Sequence, residues 1–184
     1  MKPLEIIEKY YTKDSDLYNL LVTHSQLVTA KALEIAKGVP ELDLDLQFVS
    51  EAGMLHDIGI YLTNYPELYC YGTYPYIAHG YLGHDILVKE GLPKHALVCE
   101  RHTGPGISKQ EIKERNFPIP LRDMIPYSYE EKLICVADKF YSKFPETLTT
   151  EKTINEIEIE VSKYGKENVK KLREFFDLFK YPSN

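Results

Sequence analysis

This 184-residue sequence has few cysteines, no long apolar run, no excess of positive charge and no alternating strand pattern. Each shortage closes off a class of protein. The three cysteines, Cys70, Cys99 and Cys135, are odd in number and form no Cys-x-x-Cys pair. A disulfide framework is therefore not expected, and the default setting is the reducing cytoplasm, with the thiols acting as small buried hydrophobes. No stretch of about 18 apolar residues occurs, so no membrane-spanning helix is expected. The opening MKPLEIIEKYYTKDSD carries acidic residues and no apolar segment, which is not the pattern of a signal peptide. Lys and Arg number 22 against 28 Asp and Glu, giving a net charge of −6 and a pI of about 5.6. Such a surface is unsuited to broad electrostatic binding of nucleic acid. A small phosphorylated partner stays open, because a local metal ion overrides the global field.

What is present is helical spacing. Hydrophobic residues make up 43% and charged residues 27%, an ordinary globular composition, and the length suits one domain spanning 1–184. Pro3 opens a short helix, LEIIEKYY. Ser15 or Asp16 caps a long one, DLYNLLVTHSQLVTAKALEIAK, whose apolar stripe is Leu17, Leu20, Leu21, Leu27 and Val28 and which Gly38 ends. Asp45 opens LQFVSEAGMLHDIG, expected to stay helical to Gly59. LTNYPELYCYGTYPY, rich in Tyr with two prolines, is expected to be a loop with broken turns. IAHGYLGHDILVKEG and PKHALVCERH form a helix pair leading to Thr-Gly-Pro-Gly at 103–106. SKQEIKERN is a brief helix, NFPIPLRDMIPYS a proline-rich loop, and EEKLICVADKFYSKF a strongly apolar helix. The fold class is all-α, with a core over about 17–144 and two further helices over about 150–180. Apolar positions of those last helices, including Ile157, Val161, Leu172 and Phe176, suit packing on the domain or a homodimer contact.

The informative residues are ionisable ones set inside apolar stripes. His24 lies three and four residues from Leu21, Leu20, Leu27 and Val28 and so faces the same way. His56 follows Ala52 by four and Val49 by seven, with Asp57 beside it. Asp138 follows Ile134 by four. His79 shares a face with Leu82, Gly83 and Ile86, and His102 follows Val98 by four and Cys99 by three. A buried carboxylate without a partner costs several kcal/mol. Either salt bridges or capping bonds satisfy these two Asp residues, or a shared cation does. The His and Asp mixture is one that Fe, Mn, Zn or Ni accepts.

The order His24, then His56-Asp57, then Asp138 resembles the HD superfamily of metal-dependent phosphohydrolases. GMLHDIG at 53–59 is similar to that family's central motif, and EKLICVADKF to its last helix. HGYLGHDILVKEGLPKHALVCERH, at 79–102, resembles the intervening helix pair of members with two metal ions. The resemblance covers roughly 17–144 and implies an HD-domain helical bundle. It implies that His24, His56, Asp57 and Asp138 hold one divalent ion, that Asp57 bridges to a second, and that His79 and His102 hold that second ion. The implied activity is phosphatase or phosphodiesterase action on a nucleotide by a metal-bound hydroxide, with Asp57 and His56 at the catalytic step; Lys139, next to Asp138, is added to them as a candidate from its position alone.

Among small stand-alone prokaryotic HD proteins, ERHTGPGIS and PLRDMIPYSYEEK have similar counterparts. The double His and Gly-Tyr-Pro segment of the HD-GYP phosphodiesterases are absent, so cyclic dinucleotide cleavage is not implied. Two other readings use the same residues: a mixed-valent di-iron oxygenase of the HD scaffold, and a non-catalytic nucleotide-binding module. The oxygenases place a Lys one turn after the fourth His, where this sequence has Gly106.

Substrate contacts are expected from the cations and aromatics nearby. Lys139, Arg101, Lys109, Arg115 and Arg122 are candidates for the phosphate. The Tyr-rich stretch 61–76 is expected to form a wall or lid, with Tyr69 or Tyr71 stacking on a base. His84 and His95 fall off the ligand face and read as surface or supporting residues.

Overall fold

A computed structural model describes residues 2–181. Nine α-helices and one small hairpin make up the regular structure of these residues: α1 (Pro3–Tyr10), α2 (Asp16–Lys37), α3 (Leu46–Leu55), β1 (Asn64–Tyr65), β2 (Cys70–Tyr71), α4 (His79–Lys89), α5 (Pro93–Arg101), α6 (Lys109–Arg115), α7 (Tyr129–Lys139), α8 (Ile154–Ser162) and α9 (Lys166–Leu178). The chain is mostly helical, as its spacing implies.

Local chemistry sets the helix starts. The side chains of Ser15, Asp45, Ser108 and Ser128 each accept a bond from the backbone N–H three residues on, satisfying a donor that the first turn leaves free. Thr153 and Glu156 form a reciprocal capping box at the start of α8.

Two hydrophobic cores meet along α2. Its first half, with Leu20 and Leu21, packs with Ile7, Leu55, Ile58, Leu87 and Cys99. Its second half, with Val28 and Ala32, packs with Ile134, Ala137, Phe140, Ile157 and Phe176. Each fully buried Leu, Ile or Phe contributes about 1.5–3 kcal/mol. His24 lies between the halves, where the cores join. The apolar faces of α8 and α9 are spent in this packing: Ile157, Leu172, Phe176 and Phe179 are buried. All three cysteines are buried and free. No helix among the described residues is long and apolar enough to cross a membrane.

Two segments differ from the sequence expectation. α3 ends at Leu55, so His56–Gly59 form tight turns rather than a continuing helix; Ile58 N bonds to Leu55 O and Ile60 N to Asp57 O. The Tyr-rich stretch contains a hairpin pairing Asn64 with Tyr71 and Tyr65 with Cys70. Tyr69 reverses the chain there with φ of 58°. Two residues per strand leave no periodicity for sequence reading to detect.

Gly59 has a geometric duty. A Cβ at this position would lie 2.3 Å from His79 O and 2.5 Å from Gly83 N. Its absence lets the turn carrying Asp57 dock against the start of α4, and so brings Asp57 to His79.

Candidate metal centre

Five segments deliver six donor residues to one point. α2 supplies His24, the turn after α3 supplies His56 and Asp57, α4 begins with His79, His102 follows α5, and Asp138 is near the end of α7. All six are buried. Their ligand atoms form two groups that could hold a metal ion: His24, His56, Asp57 and Asp138; and Asp57, His79 and His102.

Backbone carbonyls aim three of the imidazoles. His56 Nδ1 lies 2.7 Å from Gly53 O, His79 Nδ1 2.7 Å from Tyr76 O, and His102 Nδ1 2.8 Å from Cys99 O. A carbonyl only accepts, so each Nδ1 carries the proton and each Nε2 is turned inward. The thiol of Cys99 donates to His56 O at 2.8 Å, tying the His56 turn to α5.

In the first group, His24 Nε2 is 3.0 Å from Asp138 Oδ1 and 3.4 Å from Asp57 Oδ2. His56 Nε2 is 3.0 Å from Asp57 Oδ2 and 3.4 Å from Asp138 Oδ1. Four donor atoms this close together could hold one metal ion. In the second group, Asp57 Oδ1 is 3.3 Å from His102 Nε2 and 3.5 Å from His79 Nε2, and the two imidazole nitrogens are 3.2 Å apart. Asp57 therefore faces one group with each oxygen.

The donors fit a cation. His56 Nε2 and both oxygens of Asp57 are buried and lie within 3.5 Å of polar neighbours, yet none makes a hydrogen bond of acceptable direction. Burial lowers the affinity of His79 and His102 for a proton, His79 to a pKa of about 3, so both are neutral. Two inward lone pairs then face each other across 3.2 Å, an arrangement that a shared cation relieves.

Three protein cations balance the two carboxylates. Burial alone would depress the His56 imidazolium, but Asp57 and Asp138 reverse this and hold it at about 9. Lys143 Nζ lies 2.7 Å from Asp57 Oδ2 and 3.4 Å from Asp138 Oδ1. Burial disfavours its charge, and the same two carboxylates push its pKa well above the usual lysine value. Lys139 Nζ is 2.6 Å from Asp138 Oδ2. Burial would raise both Asp residues, but His56 and Lys143 at Asp57, and Lys139 and Lys143 at Asp138, hold them well below the carboxylate range.

A cavity of about 480 Å³ opens beside the donors. His79, His102, Asp138, Lys139 and Lys143 line one side, and Tyr76, whose ring stacks on His79 at 4.8 Å, lies with them.

The other expected substrate contacts lie elsewhere. Arg101 is paired to both oxygens of Glu131 at 3.0 and 3.2 Å, and Arg122 to Glu100, with Nε at 2.8 Å. Lys109 begins α6 as an exposed residue, and Arg115 bonds to Tyr164 O. Tyr69 sits in the hairpin turn and Tyr71 is 75% exposed; neither lines the cavity, where Tyr76 of the same stretch does. His84 contacts Asp85, and His95 contacts Glu51. Sequence reasoning missed Lys143 outright. It lies beyond the end of α7, where helical spacing no longer says which way a side chain points.

Comparison with known proteins agrees with this geometry. A protein of Methanocaldococcus jannaschii, described only as uncharacterized, is 35% identical over 121 residues, which cover 64% of this chain and 64% of that one. The tRNA (cytidine(56)-2'-O)-methyltransferase of Picrophilus torridus is 30% identical over 131 residues, 71% of this chain but 34% of that protein. The aligned region thus spans less than two thirds of either relative's length. No solved structure matches significantly. The HD domain family matches residues 21–143, a span that contains all six donors, Lys139 and Lys143. By that match, and by the buried His and Asp groups inside it, the chain belongs to the HD domain family.

Proposed function

We propose that this protein is a metal-dependent hydrolase of phosphate esters, acting on a small phosphorylated substrate of the nucleotide kind. The observation that carries this reading is Asp57: its two oxygens serve two buried donor groups at the wall of a cavity that two lysines also enter.

His24, His56, Asp57 and Asp138 would hold one divalent transition ion, and Asp57, His79 and His102 a second, with Fe, Mn, Ni and Zn all compatible with these donors. Such ions supply a bound water of lowered pKa and neutralise charge on phosphoryl oxygens. The chain's own groups do the rest. The Lys139 and Lys143 ammonium groups attract the phosphoryl group to the donor side of the cavity and hold it there. The carbonyls of Gly53, Tyr76 and Cys99 keep three imidazoles in fixed orientation, so no reorganisation is needed when charge develops. The Tyr76 ring shields His79 from water. No side-chain nucleophile is required.

The net charge of −6 favours a small substrate over a long nucleic acid. The Picrophilus relative acts on tRNA by its name, but the aligned region is 34% of it, so methyl transfer is not carried over.

The test is hydrolysis of a nucleotide panel, without oxygen, with Mn²⁺ or Fe²⁺ supplied, in the wild type and Asp57→Ala. Turnover by the wild type and none by the variant is expected. Turnover of no ester would overturn the reading; oxygen uptake would then favour the oxygenase, and tight nucleotide binding without turnover the binding module.

A further inference from the structure

The cavity beside the donors is lined by two unlike sets of side chains. One is charged, with His79, His102, Asp138, Lys139 and Lys143. The other is Phe117 together with Glu160, Val161, Tyr164 and Asn168 of the α8–α9 hairpin, which lines this part of the cavity; Lys152 Nζ answers Glu160 at 2.7 Å. That hairpin lies wholly beyond residue 143, where the family match ends. At about 480 Å³ the cavity suits a whole small ligand, in the range of about 300–1,000 Å³ typical of such sites.

The wall is rigid rather than a lid. Ile157, Leu172, Phe176 and Phe179 anchor it in the core, and Phe140 packs edge-on to Phe176. Arg173 and Glu158 join the two helices by paired contacts of 2.6 Å. The link between them turns at Gly165, whose φ is 122°. Arg115 and Asn168 both donate to Tyr164 O, the latter from Nδ2 at 3.2 Å.

That bond fixes the amide of Asn168. Its nitrogen must face the Tyr164 carbonyl, which leaves Oδ1 as an acceptor. Among the described residues Oδ1 accepts no hydrogen bond, although Asn168 is only 8% exposed and lines the cavity. With no donor among the described residues, that oxygen is a free acceptor on a residue that lines the cavity. Tyr164 is 60% exposed at the same wall, large and aromatic, and its hydroxyl has no partner among the described residues. Half-buried Phe117 supplies a further ring.

We propose that the α8–α9 hairpin determines specificity: Tyr164 and Phe117 contact the flat base of a nucleoside monophosphate, and Asn168 Oδ1 accepts a hydrogen bond from an amino group on its edge. This rests on the reading above, which puts the phosphoryl group beside Lys139 and Lys143. The proposal predicts that adenosine monophosphate is preferred to uridine monophosphate, whose base has no amino group, and to ribose 5-phosphate, which has no base.

The experiment measures these three compounds two ways. One is hydrolysis by the metal-loaded protein, and the other is equilibrium binding to the metal-free protein. Wild type, Tyr164→Ala, Tyr164→Phe and Asn168→Leu are compared, with melting temperatures to confirm folding. Tyr164→Ala is expected to weaken adenosine monophosphate binding and raise its KM about tenfold, as loss of one stacking contact does. Its kcat should change less than about twofold, with ribose 5-phosphate unaffected and Tyr164→Phe close to wild type. Asn168→Leu should abolish the preference for the amino-bearing base. Turnover with no discrimination among the three compounds, or variants that change all three alike, would overturn the proposal while leaving the hydrolase reading intact. Absence of turnover, with binding that prefers adenosine monophosphate and loses that preference in Tyr164→Ala, would uphold the hairpin's role and sink the hydrolase reading instead.

Discussion

The two donor groups share Asp57 and differ in what balances them. The four-donor group lies between two hydrophobic cores, and protein cations answer its carboxylates: the His56 imidazolium, Lys143 and, at the outer oxygen of Asp138, Lys139. The three-donor group borders the cavity, has two neutral imidazoles 3.2 Å apart, and uses Asp57 Oδ1, whereas Lys143 pairs with Oδ2. The carboxylates of the first group are therefore answered by protein cations even in the bare protein. The second offers its donors to an added cation. One carboxylate joins a group with ammonium partners to one that faces only imidazoles.

The largest effect should come from breaking that junction. Asp57→Ala removes a donor from both groups, and activity is expected to fall by more than about a thousandfold, read as kcat/KM on the preferred ester. His102→Ala touches only the second group. Its expected signature is loss of one bound ion, by elemental analysis, with roughly a 10–100-fold loss of activity. Should His102→Ala instead strip both ions, the two groups are not separable.

Lys143→Met sharpens the contrast from the other side. The two buried carboxylates lose an ion-pair partner, which should destabilise the metal-free protein by about 3 kcal/mol. Added Mn²⁺ should then raise the melting temperature more in the variant than in the wild type. Equal metal-induced shifts would show that Lys143 does not take part in the balance. Gly59→Ala has the smallest expected effect. Its Cβ would meet His79 O at 2.3 Å, so the turn and α4 must separate. A loss of about 1–3 kcal/mol is expected from such overpacking, together with weakened binding at the second group. Denaturant unfolding and metal titration check both parts.

The contrast also explains what could be read from the sequence. His24 and Asp138 were visible because each interrupts an apolar stripe on a helix, where spacing says which side chains share a face. His56, Asp57, His79 and His102 followed from the same logic together with the HD resemblance, although α3 stops short of His56 and the turn, not the helix, orients it. Lys143 was invisible because it lies outside regular structure. Arg101 and Arg122 looked like phosphate ligands because their partners, Glu131 and Glu100, are 30 and 22 residues away in sequence. The Tyr-rich stretch hid a hairpin too short to show alternation, and that hairpin turns Tyr71 outward and leaves Tyr76 at the cavity. The wall formed by Tyr164 and Asn168 had no local signal, since it depends on how α9 packs against α7.

Metal content tests the account most directly. The wild type and Asp57→Ala would each be purified, reconstituted with Mn²⁺ without oxygen, freed of unbound metal and analysed for ions per chain. The account predicts two ions in the wild type and none retained by the variant. A wild type that binds no ion, or an Asp57→Ala protein that keeps two, would contradict it.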